Sequence, residues 1–426
     1  MSATSDPTAL AAPTSQFGKA RQRFTWRDAL LVAASSLVCL FVLELVLRIF
    51  YPLYPSPFQA DDVLLVKLIP GARKVYTRLA VNGGQRIVSQ INSDGFRGEE
   101  LRPLDGHPRL IVYGDSNVEG EFSPLEATFV KQLEAQLQRS VSGDVEAINA
   151  GVVGYGPDQA SRRMPTDLAR YKPGLVVLVL FADNDFGDLI RNRIYRLDEH
   201  GELALNHYRL PTTVREHYDA AAHPRGLHRL QVAKYAYRLW LALRPAPATA
   251  SNPDDTDYIA LSLKQNLSDY AASHADGDGV IESHDPLGDY YDAAIALEPD
   301  SEAARYETAL MERVLVRMRD LASRAATNFV AVILPAGLDA CDHYDFEVDA
   351  RKYPQYDRRR LSGLVAGMAE RHAIDAVDLW PAFRSGDGTC YYLHGGDNHW
   401  SEAGQALAAR LTADLIIRRS LLHRRS

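Results

Sequence analysis

The chain has 426 residues, of which 46% are hydrophobic, with a formal net charge of −8 and three cysteines. That is enough apolar material for one large α/β core with a smaller accessory part. An acidic balance without a dense basic tract disfavours nucleic-acid binding, and Cys39, Cys341 and Cys390 lack metal-ligand spacing, so no structural zinc site is expected.

Met1 to Gly18 is rich in Ser, Thr, Ala and Pro, and residues 1–28 read as a disordered cytoplasmic tail. Lys19, Arg21, Arg23 and Arg27 precede an apolar run over residues 29–50, about the length that crosses a bilayer core, which needs roughly 20 residues. Glu44 and Arg48 interrupt the run four apart, on one helix face, where they pair and snorkel toward the interface. Tyr51 and Tyr54 stand where an aromatic belt belongs. A cleaved signal peptide fits less well, because the apolar stretch is too long and the Tyr51-Pro-Leu-Tyr-Pro segment is a poor cleavage site. Basic residues crowd before the span and are sparse after it. The expected topology is therefore a single-pass inner-membrane anchor, with the N-terminus cytoplasmic and the remainder outside, in the periplasm of a Gram-negative cell. In that oxidising compartment Cys341 and Cys390 become a candidate disulfide, with two free buried thiols as the alternative.

Residues 51–109 carry short alternating runs separated by turn residues such as Asn82-Gly-Gly84, the pattern of a small β-rich membrane-proximal segment. From 110 to 420 the pattern becomes an alternation of strands and helices. Strands are predicted at 110–113, 145–148, 175–181, 329–334 and 376–379, and helices around 128–137, 158–170, 303–326, 359–371 and 401–417. Such alternation predicts an α/β fold with a doubly wound parallel sheet. It lapses between about 189 and 299, a polar, Tyr- and His-rich stretch that reads as an insertion after the third strand, placed to be a lid or a recognition element. The helix-like segment starting at Tyr291 has no second copy at a fixed period, so a repeat array is rejected.

The chemistry concentrates at strand ends. Leu110-Ile-Val-Tyr-Gly-Asp-Ser-Asn-Val-Glu-Gly120 places Ser116 at the C-terminal end of a buried strand, where open α/β sheets bind ligands. A serine needs a base, and Gly396-Asp397-Asn398-His399-Trp400 supplies one, with a carboxylate two residues before it. Between them, the loop at Gly154 brings a backbone N–H that can approach a substrate oxygen closely, and Asn184 offers an amide donor. Asp115 adjoins Ser116 but reads as a helix cap. Asp183, Asp185 and Asp188 guarantee too few converging oxygens for a metal, so no metal and no cofactor is expected. His394 lacks a carboxylate at the matching offset and reads as a rim residue, and Trp400 as packing beneath the His399 loop.

These blocks resemble, in order, those of the SGNH (GDSL-type) ester hydrolase superfamily, over roughly Leu110 to Leu415. The resemblance implies a flavodoxin-like fold, Ser116 as nucleophile, His399 as base, Asp397 as its orienter, and an oxyanion hole made by Ser116, Gly154 and Asn184. Two blocks depart from the usual pattern. Ala182 stands where Gly is usual, and Asp397-x-His399 is one residue shorter than Asp-x-x-His. The compact form followed by Trp400 resembles the Asp-x-His-Trp signature of membrane-bound polysaccharide O-acetyltransferases, and Ile91 to Gly98 resembles a segment of membrane-anchored bacterial members.

The implied activity is a serine esterase using an acyl-Ser116 intermediate on an acylated cell-envelope glycan or related ester. Two alternatives remain. One is an O-acyltransferase using the same residues within envelope polysaccharide machinery, and the other is a non-catalytic envelope binding or assembly protein. Water is always at hand in an open site, which favours the hydrolase.

Overall fold

The structure, a computed structural model, describes residues 24–140, 144–206, 210–243, 255–274, 290–384 and 388–422. Most of the expected tail, 1–23, and the Pro-containing pieces of the insertion at 244–247 and 251–254 lie outside the described residues. The chain forms two units: Met1–Leu53 with Leu227–Leu241, and Tyr54–Gly226 with Ala242–Ser426.

Helix α1 (Trp26–Phe50) begins three residues before the expected start of the anchor. Thr25 caps it reciprocally: its hydroxyl accepts the Asp28 N–H, and the Asp28 carboxylate accepts the Thr25 N–H at 2.8 Å. Its 25 residues span about 37 Å. The helix is long and apolar enough to cross a membrane, and none of its residues is buried.

Two antiparallel hairpins follow, β1 (Phe58–Asp61) with β2 (Leu65–Leu68), then β3 (Arg73–Thr77) with β4 (Arg86–Gln90). The core opens with β5 (Arg109–Tyr113), the short helix α2 (Ser116–Glu119), α3 (Phe129–Ser140) and β6 (Glu146–Asn149). Next come α4 (Pro157–Tyr171), β7 (Leu175–Ala182) and α5 (Asp185–Asn192). The expected insertion contains the hairpin β8 (Tyr195–Leu197) and β9 (Leu203–Leu205), then α6 (Thr212–Ala222), α7 (Gln231–Ala242), α8 (Asp255–Ser273) and α9 (Ala293–Leu297). The remainder is α10 (Glu302–Arg324), β10 (Asn328–Pro335), α11 (Gly337–Ala340), α12 (Arg360–Arg371), β11 (Asp375–Asp378), α13 (Trp380–Phe383) and α14 (Glu402–Arg419).

Among the described residues the central sheet has five parallel strands in the order β11-β10-β7-β5-β6. β7 is buried along its whole length, because both faces of the sheet are covered. Its alternating side chains divide accordingly: Val176, Leu178 and Leu180 join α4, α10 and α12, while Val177, Val179 and Phe181 join α3 and α14. The chain enters the sheet at β5, adds β6 on one side, then crosses to β7 on the other. The loop after β5 therefore lies at the switch point, where the crossovers diverge and leave a crevice beyond the strand ends. Each core strand lies within one residue of its expected ends.

Parts of the insertion are core. Every residue of α9 is buried, and Asp292 just before it accepts the N–H groups of Phe186 and Gly187 at the start of α5, at 3.0 and 2.7 Å. Cys341 and Cys390 form a disulfide with a Cα–Cα distance of 5.2 Å across a sequence separation of 49. It joins the end of α11 to the segment that leads into the His399 loop. Closing a loop of this length removes unfolded-chain entropy worth about 4 kcal/mol. Reduction is expected to lower stability by roughly 2–4 kcal/mol while leaving the fold intact, read as a lower guanidinium midpoint with unchanged far-UV circular dichroism in native buffer.

Candidate active site

The turn after β5 is built by close packing. A side chain at Gly114 would sit 2.4 Å from Val118, so glycine is the residue that lets α2 fold back on the strand end. Asp115 caps α2 by accepting the Asn117 N–H at 2.8 Å. Ser116 is therefore the first helical residue, and it is 5% exposed. Asn117 reaches the far end of the chain: its side-chain oxygen accepts the Trp400 N–H at 3.2 Å, and its carbonyl accepts the Trp400 indole N–H at 2.9 Å. Trp400, 1% exposed, packs on Phe129 beneath the His399 loop.

That loop brings His399 Nε2 to 2.7 Å from Ser116 Oγ. His399 Nδ1 lies 2.7 Å from Asp397 Oδ1. The two-residue spacing works because the same carboxylate oxygen also accepts the His399 backbone N–H at 3.1 Å, an Asx turn that curls the carboxylate under its own imidazole. Gly395 and Gly396 enter this turn at φ +84° and +79°, a conformation L side chains rarely adopt. Tyr344 donates to the Asp397 carbonyl at 3.1 Å, and the Asn398 amide donates to Asp183 at 2.7 Å. The loop is thus pinned on both sides of the histidine.

The other two sequence-predicted residues sit at the ends of the neighbouring strands. Asn149, which ends β6, donates to the Val118 carbonyl at 2.9 Å, and the Val152 N–H reaches the Gly114 carbonyl at 3.2 Å. Gly154 follows at φ +74°. Asn184, two residues beyond β7, is 2% exposed and stands at the N-cap of α5 without using its side chain to cap it. Its amide is therefore not consumed in holding the helix. Loops from three adjacent strands, β6, β5 and β7, together with the His399 loop, thus supply the five predicted residues.

Several contributors were not anticipated from sequence. Phe122 packs on the His399 ring, 4.5 Å between centroids, and Tyr76 of β3 packs on Phe122 at 5.0 Å. Beneath them Lys74, also of β3, is ion-paired with buried Glu119 at 2.8 Å and with buried Glu121. Glu119 also accepts the Val153 N–H at 3.0 Å, next to Gly154. Arg97 donates to the carbonyls of Glu119, Gly120 and Ser123. A period-2 pattern identifies β3 as a strand, but nothing in it signals that Lys74 is buried or which acids it meets.

The electrostatics favour an imidazolium. Burial opposes the charged form of His399, but the hydrogen bond and charge of Asp397, followed by the charges of Glu121 and Asp115, outweigh it and raise the pKa to about 9. Behind the site, burial and then the charges of Asp115 and Asp188 push Asp185 well above the usual carboxylate range. Its carboxylate accepts the Phe181 N–H at 2.7 Å and braces the end of β7.

No family model matches the chain, and no curated protein matches it. Solved structures similar to it include TesA, with 12% identity, 74% of this chain and 99% of that one covered, and a TM-score of 0.36. A lipase/acylhydrolase from Enterococcus faecalis has 14% identity, coverage of 75% and 99%, and a TM-score of 0.34. A catalytic mutant of Axe2, an acetylxylan esterase from Geobacillus stearothermophilus, has 12% identity, coverage of 74% and 96%, and a TM-score of 0.36. A putative lipolytic protein of the G-D-S-L family from Desulfitobacterium hafniense and a GDSL-like lipase from Bacteroides thetaiotaomicron are also among these structures, each with a TM-score of 0.32. The chemistry rests on the side chains described above.

Removing the negative charge beside the imidazole should lower its proton affinity. In histidine-selective NMR titrations, His399 is expected to titrate near 9 in the native chain and at clearly lower pH in Asp397→Asn, with a smaller downward shift in Glu121→Gln. An unchanged midpoint in Asp397→Asn would contradict the pairing.

Proposed function

We propose that this protein is a membrane-anchored serine ester hydrolase that acts outside the cytoplasmic membrane on an acylated envelope glycan or related ester. The observation that carries the reading is the unbroken chain from Ser116 Oγ through His399 to Asp397, with both links at 2.7 Å. His399 takes the Ser116 proton as Oγ attacks the ester carbonyl. The charge that develops on the carbonyl oxygen falls to the N–H groups of Ser116 and Gly154 and the amide of Asn184, each donor worth roughly 3–4 kcal/mol in comparable sites. Collapse expels the alcohol, which takes the proton from His399. Water, deprotonated by the same imidazole, then releases the acid and regenerates Ser116. Asp397 holds the tautomer and stabilises the imidazolium throughout.

A sugar hydroxyl in place of water would make the same machinery an O-acyltransferase. The Trp400 side chain bears on this choice. It is spent on Asn117 and Phe129, so the Asp-x-His-Trp sequence reflects how the loop is braced and not which acceptor enters. Water therefore remains the favoured acceptor. The competence of all five positions weighs against a non-catalytic binding protein. Two observations support the location: α1 is long and apolar enough to span a bilayer, and the Cys341–Cys390 disulfide is the chemistry of an oxidising compartment.

Ser116→Ala is expected to abolish p-nitrophenyl acetate hydrolysis and fluorophosphonate labelling; activity within about tenfold of the native chain would overturn the nucleophile assignment. Asn184→Ala should lower kcat by roughly 10²–10³ with little change in KM.

Because a neutral imidazole is needed and His399 titrates near 9, kcat/KM should climb by roughly tenfold per pH unit through neutrality and level off above about 9. A flat profile from pH 6 to 9 would argue against His399 as the base. A periplasm-only reporter fused after Pro55 should give signal where a cytoplasm-only reporter does not; the reverse would invert the topology.

A further inference from the structure

The unit that contains α1 also contains Leu227–Leu241, which is drawn from the middle of the insertion. The contact is specific. Glu44 of α1 accepts the Val232 N–H at 2.9 Å, so it occupies the N-terminal end of α7, where a carboxylate is favoured by the helix dipole. Arg48 pairs with Glu44 at 2.7 Å and donates to the Arg229 carbonyl at 3.2 Å. Gln231 accepts the Leu53 N–H at 2.8 Å, Lys234 donates to the Leu53 carbonyl at 2.7 Å, and Tyr235 donates to the Tyr51 carbonyl at 2.9 Å.

These bonds fix the depth of α7 relative to α1. Glu44 lies six residues before Phe50, about 9 Å along the axis. A helix of about 37 Å outspans a hydrocarbon core of roughly 30 Å by only a few ångströms at each end. Where α1 crosses a bilayer, the start of α7 is therefore held about 5 Å on the acyl-chain side of the headgroup boundary, and its N-terminus gives the Arg48-paired Glu44 carboxylate a further partner there.

The side chains of α7 suit that level. Val232, Ala236, Leu239 and Trp240 recur at helical spacing along one side, a stripe that Leu243 continues just past the helix end, and Gln231, Lys234, Tyr235 and Arg238 lie along the other. The polar side is the one bonded to the chain leaving α1. The apolar side is exposed: Leu239 is 61% exposed, Trp240 46% and, just past the helix end, Leu243 75%, while no residue of α1 is buried. A helix with an apolar stripe, an aromatic residue and flanking Arg and Lys has the composition of one lying in a bilayer interface.

We propose that Leu227–Leu243 is a second, interfacial membrane segment, which lays its apolar side among lipid acyl chains and presents Arg229, Lys234 and Arg238 to lipid phosphates. The proposal rests on the reading of α1 as a transmembrane anchor. The chain passes between the units at Leu53–Tyr54, Gly226–Leu227 and Leu241–Ala242, so the catalytic unit would be joined to the bilayer through three chain connections instead of one.

The test uses the full chain in a Cys39→Ser background, reconstituted into phosphatidylethanolamine/phosphatidylglycerol nanodiscs. Nitroxide labels are placed through Leu239→Cys, Leu243→Cys, Val38→Cys on α1, and Glu199→Cys on an exposed loop as the aqueous control. Power saturation then compares relaxation by oxygen, which partitions into lipid, with relaxation by a water-soluble nickel chelate. Oxygen is expected to dominate at 239, 243 and 38, and the chelate at 199. A lipid signal at 38 with aqueous signals at 239 and 243 would overturn the interfacial segment and leave the anchor standing. Labels at 239 and 243 shielded from both agents would replace lipid with a protein partner and overturn it equally. An aqueous signal at 38 would overturn the anchor, and the proposal with it.

Discussion

Two hydrogen bonds between Asn117 and Trp400 hold together positions 283 residues apart, and the site depends on them. Ser116 precedes Asn117 and His399 precedes Trp400. Bonding the second members of these pairs therefore sets the first members at the 2.7 Å contact that proton transfer requires. Both bonds are buried, where neither partner can exchange its mate for water without loss. The close approach of Gly114 to Val118, the φ values of Gly395 and Gly396 and the Asx turn at Asp397 all serve this alignment, because each narrows the positions available to one of the two side chains.

A second layer of order comes from charge. Glu119, Glu121, Lys74 and Arg97 are all buried within the shell around the Ser116 turn. Charges taken out of water are tolerated only when paired and fully hydrogen-bonded, and removing one partner from such a set typically costs about 3–5 kcal/mol. Lys74 compensates two carboxylates, and Arg97 satisfies three carbonyls at the end of α2. Both basic residues come from the hairpin segment that precedes the sheet. That segment is therefore part of the wall of the candidate site, and the negative charges it helps to hold are among those that raise the proton affinity of His399.

The insertion has two fates within one stretch of sequence. Asp292 and α9 brace the start of α5, directly after Asn184, and so belong to the support of the predicted oxyanion donor. Residues 227–241 group instead with α1. Buried backbone N–H groups needing acceptors account for the first, and the Glu44 carboxylate of α1, which accepts the Val232 N–H as well as pairing with Arg48, accounts for the second.

The alternation of buried strands and amphipathic helices was legible in the sequence because periodicity is a local property, and it located every core strand to within one residue. The positions of the five proposed site residues at strand ends were legible for a related reason. Open α/β sheets present chemistry at strand ends, and each of these residues follows a strand or lies in the loop before the last helix. The length of the apolar helix α1 and the pairing of Glu44 with Arg48 also follow from spacing along one helix. What required the tertiary structure was every partnership between distant segments: Asn117 with Trp400, Lys74 with Glu119 and Glu121, Phe122 on His399, the choice of a Cys341–Cys390 disulfide over free thiols, and Glu44 at the head of α7. Sequence pattern encodes which face of an element avoids water. Which neighbour covers that face, and which charge finds which counter-charge, is decided only when the packed chain removes both from solvent together.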